Sequence, residues 1–170
     1  INQFVNEEYK KIILVKELRY ITSDSFSLAS EILIPQEGTN LKLIAASIDA
    51  NKFKTENQIE LIEKYSVPSG NKDGLKKLRE KSENYFQQLS IVKDLALAAK
   101  FTQAEVIYSK NLLSTRTAYL QSIEELNTTI EKSGEEAVQE TLSGFAKQKN
   151  SISSFNLSFG VIISLFLFVI

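Results

Sequence analysis

Cysteine, histidine, methionine and tryptophan are all absent from the 170 residues. Without Cys and His the chain has no thiolate nucleophile, imidazole base, disulfide or ordinary zinc site, and most catalytic constellations go with them. Glycine and proline are scarce, at six and two residues. No Gly-rich phosphate loop, G-x-S-x-G elbow or Asn-Gly hairpin signal is present. Charge of one sign is also lacking, since 20 basic residues against 21 acidic give a net charge of −1. A nucleic-acid backbone would find no electrostatic footprint here, so no nucleic-acid partner is expected. The adjacent acids Glu7–Glu8, Glu124–Glu125 and Glu135–Glu136 diverge on a helix and read as solvated surface groups. No catalytic residue, metal ligand or cofactor is therefore expected, and the chain is not read as an enzyme. The lack of Met, position 1 included, leads to the expectation of a processed product or a piece of something longer.

What is present is long amphipathic sequence. Gly and Pro cluster at Pro35–Gly38 and Val67–Gly74, with isolated Gly134 and Gly144, and the pieces between them repeat apolar residues at three and four. The first runs from about Gln3 to Ile34, with Val5, Tyr9, Ile12, Val15, Leu18, Phe26, Ala29 and Leu33 on one stripe. Its Thr22–Ser27 stretch is poor in helix formers and reads as a weak point, because short hydroxyl and carboxylate side chains compete for the backbone. The second, about Leu41 to Tyr65, is capped by Thr39 or Asn40 and faces Leu43, Ile44, Ser47, Ile48, Ile59 and Ile62 inward. Polar residues Asp49–Thr55 divide it into one helix or two. The third, preceded by Asn71 or Asp73, runs from about Gly74 to Lys100 and carries the clearest stripe: Leu75, Leu78, Tyr85, Phe86, Leu89, Val92, Leu95, Ala96 and Ala99. Thr102 with Glu105 is a capping-box pattern, predicting a fourth helix from Gln103. Its stripe is Leu112, Arg116, Tyr119, Ile123, Leu126, Ile130, Val138, Leu142, Phe145 and Ile152. An all-α, up-down-up-down four-helix bundle follows from long helices joined by short links.

Every residue after Lys149 is uncharged, and Phe155–Ile170 grows steadily more apolar. With Phe, Leu, Ile and Val covering every face, this run reads as the start of a transmembrane helix. The expected organisation is a helical domain over 1–152 and the beginning of a span over 153–170, with the lipid bilayer at the C-terminus.

Arg116 is out of place on an apolar stripe. A guanidinium there wants a carboxylate or phosphate, so it is the first candidate ligand-binding residue, and Asp94 or Asp24 is its candidate structural partner. Tyr119 and Tyr108 lie near it by spacing and supply hydroxyl donors, alongside a polar cavity at the level of the Thr22–Ser27 stretch.

Ser82–Leu89 (SENYFQQL), Leu112–Leu126 (LLSTRTAYLQSIEEL) and the polar run through Phe145–Lys149 into the apolar segment resemble the extracytoplasmic sensor regions of two-pass bacterial receptors. These are chemoreceptors, sensor histidine kinases and diguanylate cyclases with four-helix-bundle sensor domains, and the resemblance covers roughly Asn71 to Ile170. It implies a homodimer along the first and fourth helices, and helix displacement passed to a cytoplasmic output module outside this chain. It also implies a small-molecule or protein ligand and residence in the inner membrane, with residues 1–152 extracytoplasmic or periplasmic. Ligand-binding Arg residues of such chemoreceptors lie at the dimer interface near the distal end, where Arg116 corresponds by position. The competing expectations are a membrane-anchored helical spacer and a helical membrane-inserting, pore-forming protein.

Overall fold

The computed structural model describes the backbone of residues 2–35, 37–66 and 72–167, and the side chains of 9–35, 37–65, 72–136 and 138–144. Asn2–Glu31, Gly38–Ser66 and Lys72–Leu97 form α1, α2 and α3. Phe101–Ile107 forms α4, which runs through a π-helical turn, Tyr108–Leu112, into α5, Leu113–Leu167. Among the described residues there is no strand, and no helix is long and apolar enough to cross a membrane. Positions 168–170, the end of the apolar run, lie outside the described residues, as does Asn71.

Pairings between helices fix the topology. Glu17 accepts from Gln58 at 2.6 Å and Asp24 from Asn51 at 2.7 Å, so each step forward along α1 matches an equal step back along α2. Asp49–Lys93 at 2.5 Å and Glu63–Arg79 at 2.9 Å set α2 against α3 in the same antiparallel way. Gln88 meets Asn111 and Lys77 meets Glu125, which brings α5 back along α3. Ser30–Tyr108 and Arg19–Glu124 close the ring between α1 and the last rod. The result is a four-helix bundle, contained within one compact unit, Asn2–Glu131; the second unit, Lys132–Ile170, is helical as far as Leu167.

The core confirms most of the predicted stripes. Val15, Leu18 and Ala29 of the first segment, Ile44, Ile48, Ile59 and Ile62 of α2, and Leu112, Tyr119, Ile123, Leu126 and Ile130 of the last rod are buried, while Ile12, Phe26 and Leu33 are half-buried and Ile32 takes the inward place expected of Leu33. On α3 the predicted positions are buried except Leu95, which is half-buried, and Ala99, which is exposed. Val138 and Leu142, in the second unit, face solvent, and the predicted Val5, Phe145 and Ile152 lie outside the residues whose side chains are described; within the bundle unit three other predicted core positions face solvent: Tyr9, Leu43 and Ser47. Hydropathy misplaced these because the inward register is partly polar. Along α1 and just past its end, Lys11, Val15, Leu18, Thr22, Ser25, Ala29 and Ile32 are buried in an alternation of four and three, with Ile21 buried beside Thr22. On α2, Asn51 and Thr55 are buried.

The two predicted weak points are therefore not breaks. Both α1 and α2 pass through them uninterrupted. Thr22 donates to the Leu18 carbonyl at 2.7 Å and Ser25 to that of Ile21 at 2.6 Å, so the hydroxyls bond within the helix rather than unwinding it. The capping box is not formed either. The last rod begins at Phe101 with Lys100 as its N-cap and no side-chain cap bond, because α3 turns directly into it. That turn ends α3 in a Schellman motif: Lys100 N–H donates to Leu95 at 2.8 Å and Ala99 N–H to Ala96 at 2.9 Å. Ala99 takes the left-handed conformation, φ 57°, where glycine is usual.

Candidate functional site

All four rods place a hydroxyl or amide in the bundle interior. Thr22 and Ser25 come from α1, Asn51 and Thr55 from α2, Ser82 from α3, and Ser122 with Tyr119 from α5; each is under a tenth exposed. Tyr85 and Tyr119 stack here with ring centroids 5.8 Å apart, and Tyr85 Oη donates to the Thr22 carbonyl at 3.3 Å. Tyr119 Oη and Thr55 Oγ1 are buried with no hydrogen-bond partner. Burial pushes the Tyr119 hydroxyl up to about 12, and the hydroxyls of Ser82, Thr22 and Thr55 beside it hold that rise back. Burial likewise raises Tyr85, opposed by the charge of Arg116.

Arg116 lies half-buried on the α1 side, its guanidinium carbon 4.4 Å from the centroid of the Phe26 ring. This is cation–π geometry. Its Nε is buried and unpartnered, and no carboxylate pairs with it among the described residues. Neither candidate partner serves: Asp24 accepts from Asn51, and Asp94 is 3.9 Å from Lys93. Tyr108 stacks on Phe26 as well, with ring centroids 5.1 Å apart, and its hydroxyl shares a 2.6 Å hydrogen bond with Ser30. Arg116, Tyr108 and Phe26 are thus brought together, while Tyr119 belongs to the tyrosine stack beneath.

The π turn explains how Tyr108 and Arg116 come to share a face. Ala104, Tyr108, Leu112 and Arg116 follow one another at four, and three such steps would carry an α-helical stripe about 120° around the axis. A π-helical turn, wider by one residue, keeps them in line; its bond is visible as Leu113 N–H donating to the Tyr108 carbonyl. Sequence reasoning missed this turn, Phe26's role and the buried hydroxyls. The run of three fours was the available signal for the first.

A family model described as a four helix bundle sensory module for signal transduction matches residues 3–144. The chain belongs to that family. No curated protein matches the sequence. Among its described residues the sensory module thus carries, within its bundle, one guanidinium without a counter-ion and a set of interior hydroxyls that includes the unpaired Tyr119 Oη and Thr55 Oγ1. Among the described residues no group of acidic side chains could hold a metal ion. What the arrangement offers chemically is recognition: a cation on an aromatic face, and polar groups able to accept or donate.

Proposed function

We propose that the chain is the ligand-sensing, signal-transmitting extracytoplasmic domain of a bacterial transmembrane receptor. The observation that carries this is Arg116. In a family of sensory modules, a half-buried guanidinium resting on Phe26 with an orphaned Nε is a ready receptor for a carboxylate or phosphate. Tyr108 and Ser30 stand beside it with hydroxyls already oriented. Binding there would bridge α1 and the last rod, and a ligand that prefers one packing of those rods shifts their population by its differential affinity. In this reading two copies associate along the same rods, and α5 leads through the apolar run of 153–170 into the inner membrane, towards an output module outside this chain.

A thermal-shift screen of the chain against amino acids, organic acids and phosphate tests the sensor reading. A saturable shift that disappears in Arg116→Gln supports it; no shift with any anion refutes Arg116 as the site and favours a spacer. Topology is tested separately. Since the chain has no cysteine, Lys52→Cys supplies a unique thiol. An impermeant maleimide should label it from outside intact spheroplasts; labelling only after lysis would refute the extracytoplasmic placement.

A further inference from the structure

Away from Arg116, a half-open groove of about 540 Å³ runs between α2 and α3. That volume lies in the range of small-molecule sites. Its apolar lining is Ile59 and Phe86, both almost wholly buried, and Ser82, 5% exposed, adds a hydroxyl. The Phe86 ring is held edge-on by Tyr85, with centroids 5.1 Å apart, so this wall is rigid.

The charges around the groove do not cancel. Arg79 is committed to Glu63 through two hydrogen bonds, of 2.9 and 3.3 Å, and Lys52 lies 4.0 Å from Glu56. Glu60 and Glu83 also line the groove and have no ion pair among the described residues. The register set by Glu63–Arg79 places them together: three residues back along α2 is Glu60, and three forward along α3 is Ser82, next to Glu83. Two uncompensated carboxylates thus stand over a buried hydroxyl. Hydroxyl oxygens accept, carboxylates only accept, and an ammonium group only donates.

We propose that this groove binds a small organic ammonium compound, with its apolar chain on Phe86 and Ile59 and its charged end between Glu60 and Glu83 over Ser82. A carboxylate ligand is disfavoured by the same two charges. The proposal stands apart from the Arg116 reading, because Arg116 is no part of the lining.

The test is calorimetry and thermal shift on the full chain in mild detergent, with 1,4-diaminobutane as probe and butylamine and butyrate for comparison, all at constant ionic strength. Expected is saturable binding of the diamine, weaker binding of butylamine and none of butyrate. The double variant Glu60→Gln, Glu83→Gln should weaken the diamine at least tenfold, and Arg116→Gln should leave it unchanged. If the double variant does not fold, Glu83→Gln alone should still weaken binding several-fold. Absence of saturable diamine binding, equal binding of butyrate, or unaltered affinity in the folded Glu variants would overturn the proposal. Loss of diamine binding in Arg116→Gln alone would also overturn it, by moving the site to the other cluster.

Discussion

Deleting Lys110 should be nearly neutral, whereas deleting Thr117, seven positions on, should unfold the bundle. Both residues are exposed, so neither deletion removes core contacts directly. Lys110 lies within the π turn Tyr108–Leu112, which is a one-residue insertion into an otherwise α-helical rod. Removing it lets the turn close to α geometry, and the spacing Ala104, Tyr108, Leu112, Arg116 becomes four, three, four. The stripe stays inward on both sides. Deleting Thr117 has no bulge to absorb it, so everything beyond turns by about 100°. Tyr119, Ile123, Leu126 and Ile130, all under 5% exposed, would leave the core together. At roughly 1.5–3 kcal/mol for each large apolar side chain, the loss is about 6–12 kcal/mol. That is comparable to the entire stability of a domain, about 5–15 kcal/mol. For the Lys110 deletion the change should stay within about 1 kcal/mol, or about 2–4 °C in Tm. Thermal melts followed by far-ultraviolet circular dichroism distinguish the two. Equal losses would refute the assignment of the π turn as the register-setting element.

Three further outcomes are expected. Ala99→Gly should stabilise the chain by roughly 0.5–1 kcal/mol in urea unfolding, because the left-handed C′ position burdens a Cβ; a loss of stability would mean the Schellman turn is not retained in solution. Thr55→Val should raise Tm, since it replaces a buried, unpaired hydroxyl with a methyl group at a gain of about 1 kcal/mol; a fall in Tm would show that Oγ1 is satisfied. Stability should fall above pH 10, because Tyr119 keeps its proton to about 12 in the folded chain but ionises near 10.0 when unfolded. The contribution is intact below pH 10 and is lost progressively up to about pH 12, a decline of roughly 3 kcal/mol from this residue. Tyr119→Phe should reduce that slope in urea midpoints measured from pH 9 to 12, and an unchanged slope would refute the assignment.

How much of this was legible in the sequence depended on polarity. The apolar parts of each stripe, above all Leu75 to Ala96 on α3, came directly from their spacing. The interior hydroxyls did not, because residues that face inward while being polar look like interruptions. Thr22 and Ser25 look like a soft spot in the sequence, and Asn51 and Thr55 like a division of α2. In both cases heptad spacing persisted beneath the change in hydropathy. Tyr9 and Leu43 illustrate the converse error: apolar residues drew the stripe to themselves while Lys11 and Leu41 held the inward positions. Arg116 was legible as a misplaced charge, and Tyr108 as its neighbour. Phe26, the face on which the guanidinium rests, lies ninety positions earlier, beyond the reach of spacing along one helix.

The interior hydroxyls are set apart from the apolar core by where their hydrogen bonds go. Thr22, Ser25 and Ser122 each donate to a carbonyl of their own helix, so they are satisfied whatever the neighbouring rod does. Among the described residues, only Tyr85 to Thr22, at 3.3 Å, and Asn51 to Asp24, at 2.7 Å, cross between helices from this set. Small side chains satisfied locally also interdigitate less than Leu or Ile would, so around them a displacement of one rod along another breaks few bonds and few contacts. Apolar side chains such as Leu78, Leu89, Leu112 and Ile123 hold the bundle together, and the locally satisfied hydroxyls interspersed among them lower the resistance to sliding. Tyr85→Phe tests the point, since removing the longer of the two crossing bonds should cost no more than about 1 kcal/mol in urea unfolding. A cost of several kcal/mol would mean that these hydroxyls are a clasp between rods and not a surface on which they slide.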